Sequence, residues 1–149
     1  DHGPLFGARA SEALRSEGGP LHGLDLMFEH VRYDWTDTKV LDTELAAITS
    51  DSGLVACSSE GALFDYGSDA EVRANLASIR RGTRAGTIVV GTATRAGRRA
   101  GSRARRGHSP HRVAVVPRTL EEFEALVQSS GWRVEKRLET PLQIHVRLV

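Results

Sequence analysis

A chain of 149 residues, 40% hydrophobic and 26% charged, has the size of one domain and enough length to bury a core. No apolar run approaches the ~20 residues of a membrane span, no basic-then-apolar leader opens the chain, and the lone Cys57 excludes an intrachain disulfide or a cysteine-based metal site. The net charge of +1 conceals an asymmetry: the 49 residues between Glu71 and Glu121 hold 12 Arg and no Asp or Glu.

The elements follow in chain order. A short helix is expected over Ala8–Glu17, stopped by Gly18-Gly19-Pro20. Leu24–Val31 reads as a buried strand that opens onto Glu29 and His30. The aromatic turn Tyr33-Asp34-Trp35 follows, and then the clearest helix, Thr36–Ser50, with Val40, Leu41, Leu45 and Ile48 on one face. Gly53–Ser58 is an apolar run of strand length, and Ser58-Ser-Glu-Gly61 is a polar turn. Ser68-Asp-Ala-Glu71 has capping-box spacing before a helix over 69–82. Thr87–Thr94 is rich in β-branched residues and reads as a strand.

Residues 95–112 contain seven Arg and no large aliphatic or aromatic side chain, the composition of a mobile loop. Val113–Val116 is short and extended. Thr119-Leu-Glu-Glu122 is a second capping box, and its helix ends at Gly131. Trp132–Leu138 and Leu142–Val149 alternate around Thr140-Pro141, as an antiparallel hairpin does. Alternating strands and helices predict one α/β domain over 1–149. Its sheet would be mostly parallel and Rossmann-like, with helices on both faces and the hairpin at the end.

The order of these segments resembles the carboxyl half of class I S-adenosylmethionine-dependent methyltransferases. The matching residues are Asp25-Leu-Met, Ser52-Gly53-Leu54 and Ser130-Gly131-Trp132, over about residues 20–149. In that family the first match is the fourth strand of the sheet and the second is the fifth. The third ends a late helix before a reversed last strand. The resemblance implies methyl transfer to a small molecule and S-adenosylmethionine as cofactor, with Asp1, His2 and Phe28 beside it. The family's Gly-rich cofactor loop would precede residue 1. The missing initiator Met implies a processed chain or a fragment.

Methyl transfer from a sulfonium needs positioning above all, and a base where the nucleophile must lose a proton. Glu29 and His30 stand at the predicted strand end. His30 is the first choice, because imidazole ordinarily titrates near pH 6.5, about where the cell works. Tyr33 and Trp35 are candidates for a pocket wall, competing with ordinary packing over the core. Glu60 is a second pocket candidate, with Phe64 and Tyr66 as a lid. The six His are scattered and predict no metal site.

A second reading is a non-catalytic Rossmann-like module that holds nucleic acid or another polyanion on its Arg-rich face. The 18 Arg against 2 Lys, with no interleaved aromatics in 95–112, weigh against it. No membrane partner is expected, and the single cysteine fits a cytoplasmic location.

Overall fold

The computed structural model describes residues 3–49, 53–96 and 115–149. These fall into two compact units, Asp1–Tyr33 and Asp34–Val149.

The first unit holds one helix, α1 (Gly3–Arg15), and a segment over 25–33 with no regular secondary structure. The strand expected at Leu24–Val31 is absent. A strand buried on both faces would hide its large side chains, yet Leu24 is 61% exposed and Met27 86%. The segment is instead held to α1. Arg15 donates from its guanidinium to the Leu26 carbonyl at 3.2 Å. The Phe28 ring lies where a Cβ on Gly7 would come within 2.2 Å of it, so the ring rests directly on the glycine and would have to shift for a larger residue. A short apolar run does not itself distinguish a strand from a segment lying against a helix.

The second unit is an α/β layer around a four-stranded sheet. Its elements are α2 (Lys39–Thr49), β1 (Ala56–Ser59), α3 (Leu63–Tyr66), α4 (Asp69–Gly82), β2 (Ile88–Thr94), α5 (Leu120–Ser129), β3 (Val134–Glu139) and β4 (Gln143–Leu148). The strand order is β1-β2-β4-β3. β1 and β2 are parallel, with Cys57 beside Val89 and Ser59 beside Gly91. β4 runs antiparallel to both of its neighbours. Three strands therefore share one direction and the last strand is reversed.

Both capping boxes form. Ser68 and Glu71 exchange side-chain-to-backbone hydrogen bonds at the start of α4, and Thr119 and Glu122 do so at the start of α5. Each satisfies amide groups that a helix start leaves open. Gly131, at φ 80°, turns the chain out of α5 into the hairpin.

The core is built from the helical faces Val72, Leu76 and Ile79 of α4 and Phe123, Leu126 and Val127 of α5. They close on Val89 and Ala93 of β2 and on Ile144, Val146 and Leu148 of β4. Each large side chain so buried is worth about 2 kcal/mol. Trp132 seals the edge: its indole N–H donates to the Leu76 carbonyl at 2.8 Å, and the Arg80 guanidinium lies 5.3 Å from its ring. α2 joins α4 through Leu45, which packs against Gly82, and through a hydrogen bond from the Ser78 hydroxyl to Asp42.

Candidate functional site

In an open α/β sheet, ligands sit beyond the carboxyl ends of the parallel strands. Here those ends are Ser59 of β1 and Thr94 of β2. The turn after β1 carries Glu60, exposed, and Gly61, at φ 60°. The Gly61 N–H donates to the buried Thr92 hydroxyl at 3.3 Å, tying the turn to β2. The Ser59 hydroxyl oxygen is buried and has no hydrogen-bond partner among the described residues. Cys57 lies two residues back, and burial pushes its thiol up from its ordinary value, which disfavours the thiolate.

The one-turn helix α3 stands beside this end of β2. Gly91 admits it: a Cβ there would stand 2.7 Å from the Phe64 ring and 2.7 Å from the Ser59 carbonyl oxygen. Asp65, on α3, is 7% exposed. Its Oδ1 accepts from the Thr94 N–H at 2.6 Å, and its carbonyl accepts from the Val116 N–H at 2.7 Å.

Arg118 completes the frame at 3% exposure. Its Nε donates to Asp69 at 2.9 Å, and its terminal nitrogens donate to the carbonyls of Phe64 and Gly67, each at 2.7 Å. Arg118 thus satisfies carbonyls that so short a helix leaves open. Its backbone bridges to Arg95, so the chain leaves β2 and returns to the same place. The segment between, 97–114, includes most of the expected Arg-rich loop, with His108 and His111, and lies outside the described residues.

The residues singled out from sequence are placed as follows. Asp1 and His2 lie outside the described residues. Phe28, Glu29, His30 and Tyr33 belong to the first unit. Glu29 and His30 are exposed in a segment that is not a strand, so the strand end that was to aim them does not exist. Trp35 opens the second unit, where its carbonyl accepts from the buried Asn75 side chain at 2.8 Å. Glu60 stands at the carboxyl end of β1, as expected.

Phe64 is a correction. It is fully buried and packs edge-on against Phe123, with centroids 5.3 Å apart, so it is a core residue and no lid. Tyr66 is half-buried on the same turn. Sequence reasoning passed over Ser59, Asp65, Thr92 and Arg118. The available signal was an Asp inside the apolar run Leu63-Phe-Asp-Tyr66.

Among the described residues, no group of three or more His, Cys, Asp or Glu is placed to hold a metal ion. No described helix is long and apolar enough to cross a membrane. Five of the described arginines, Arg81, Arg95, Arg118, Arg137 and Arg147, are paired with carboxylates.

No protein-family model matches the chain, and no curated protein matches it. Among solved structures it is similar to CalO1, a methyltransferase in calicheamicin biosynthesis, in its SAH-bound form. The identity is 16% and the TM-score 0.43, over 63% of this chain and 29% of that one. The match therefore spans less than a third of that protein.

Proposed function

We propose that this chain is part of an enzyme that transfers a methyl group from S-adenosylmethionine to a small-molecule acceptor. One observation carries the reading. The last strand, β4, is reversed and lies between strands that share one direction. It is the second strand after a late helix that leads into Ser130-Gly131-Trp132, with β3 between them. A reversed last strand is what the resemblance in sequence implied, while the strand it placed at Asp25-Leu-Met is not formed.

The polar ends of β1 and β2 support it further. Ser59, Glu60 and Thr92 offer acceptors for the hydroxyl and amino hydrogens that an adenosyl donor carries. When bound, such a donor supplies an already activated methyl group. The protein then has to hold the acceptor in line and exclude water. Glu60 is our first candidate for a side chain facing the acceptor. Glu29 and His30 remain candidates by residue type alone, since each can accept a proton.

The test is calorimetric titration of S-adenosylmethionine into the 149-residue chain and into the translated whole reading frame. Saturable binding is expected from the latter. Weaker binding is expected from the former, whose sequence contains no Gly-rich cradle. Absence of binding by both proteins sinks the reading. The polyanion reading rests on the Arg-rich stretch centred on 95–112, most of which lies outside the described residues.

A further inference from the structure

The sheet of the second unit has two faces, and the strand registers assign the residues of each. Val89 and Ala93 of β2 and Ile144, Val146 and Leu148 of β4 belong to the core with α4 and α5. Alternate residues point the other way. There Ile88 lies beside Ala56 of β1, and Val90 stands between Ser58 of β1 and Arg147 of β4. On β3, Lys136 lies opposite Arg147. Arg133 shares this face, because it exchanges backbone hydrogen bonds of 2.9 and 3.0 Å with Val149, the residue after core-facing Leu148.

This second face meets solvent. Ala56, Ser58, Arg133 and Lys136 are exposed, and Ile88, Val90 and Arg147 are half-buried. Yet a parallel pair such as β1 and β2 belongs to sheets that are covered on both faces. The face has an apolar strip, Ala56, Ile88 and Val90, beside a basic one, Arg147, Lys136 and Arg133. The acid that reaches the basic strip is Glu135, at the register shift of β3. Arg147 lies 3.0 Å from it as an ion pair, without the alignment of a hydrogen bond. Arg133 and Lys136 have no carboxylate partner among the described residues.

We propose that this face docks an amphipathic helix of a partner protein, apolar along one stripe and acidic beside it. The stripe lies along β2 on Ile88 and Val90, and the acids reach Arg147, Lys136 and Arg133. Charge complementarity selects this occupant. Two copies of the chain laid face to face would set these cations against each other. A nucleic acid would find no aromatic ring among these residues on which a base could stack. An apolar strip flanked on one side by cations matches a helix whose polar face is acidic. The inference goes beyond the methyl-transfer reading and does not depend on it.

The test is acetylation footprinting with acetic anhydride, read by mass spectrometry. The chain has two lysines, Lys136 on this face and Lys39 on α2. The Lys39 side chain is 87% exposed and serves as the internal control. The probe is a synthetic peptide of roughly 18 residues, above the length at which isolated helices become stable. It is built from Leu, Ala and Glu, with the Leu on one stripe, and a twin carries Arg in place of Glu. The Glu peptide should protect Lys136 saturably and leave Lys39 unchanged. The Arg twin should protect neither. Ala56→Glu puts an acid into the exposed apolar strip and should weaken the protection at least about tenfold.

A Lys136 that reacts equally with and without the Glu peptide overturns the proposal. So does equal protection by the Arg twin, or a folded Ala56→Glu protein that binds the Glu peptide unchanged. Protection by oligothymidylate where the peptide fails gives the face to nucleic acid instead. The translated whole reading frame, footprinted without peptide, should leave Lys136 as reactive as in the 149-residue chain. Lys136 already protected there assigns the face to that protein's own chain and excludes the partner.

Discussion

At the scale of single residues, the frame of the site depends on Arg118. Its guanidinium donates to four partners, Asp69 and the carbonyls of Phe64, Gly67 and, at 3.4 Å, Val116, but they are not equal in worth. Asp69 has an exposed side chain and regains water when the arginine is lost, so that pair contributes less than about 1 kcal/mol. The carbonyls of Phe64 and Gly67 belong to buried residues and have no such recourse. Arg118→Met, similar in length but without donors, is expected to cost about 2–4 kcal/mol, a fall in Tm of roughly 10 °C. Asp69→Asn should cost under about 1 kcal/mol. Thermal unfolding of both variants checks the ranking, and equal losses would show that the ion pair, not the carbonyls, dominates.

At the scale of elements, the contact between α3 and β2 rests on the absence of a side chain at Gly91. A methyl group there meets the Phe64 ring on one side and the Ser59 backbone on the other, and the backbone cannot step aside. Gly91→Ala is therefore expected to cost about 2–3 kcal/mol through overpacking. Gly53→Ala is the control. A Cβ at Gly53 meets nothing within 4 Å, so that change should stay within about 0.5 kcal/mol. Urea unfolding separates the two. The sequence marked Gly53–Ser58 and Thr87–Thr94 as strands, and both pair, with β1 starting at Ala56 instead of Gly53. It could not mark Gly91 as special, because what Gly91 makes room for is 27 residues away in the chain.

At the scale of the whole molecule, the two units differ in how they are held. In the second, fourteen apolar side chains form one buried cluster. In the first, no described residue from 4 to 33 is fully buried, and Leu5, Phe6, Leu24, Met27 and Phe28 are exposed. Opening a segment costs what its burial and hydrogen bonds contribute. Amides of residues 4–33 should therefore exchange with solvent first, and those of β2 and β4 last. Hydrogen exchange read by NMR tests this. Protection in α1 equal to that in β2 would defeat it.

Local rules were legible throughout. The two capping boxes, the apolar stripes of α4 and α5, and the alternation of Ile144, Val146 and Leu148 all depend on residues within one or two turns or one strand. The α/β class and the terminal hairpin follow from them. Tertiary structure alone decided the site. Asp65 meets Thr94 across 29 residues, Trp132 meets Leu76 across 56, and Arg118 meets Phe64 across 54. No period in the sequence encodes such meetings. The same holds for Leu24–Val31, whose composition suits a strand. A strand exists only where another strand offers its backbone groups, and among the described residues this segment is held by Arg15 and Gly7 of α1 instead.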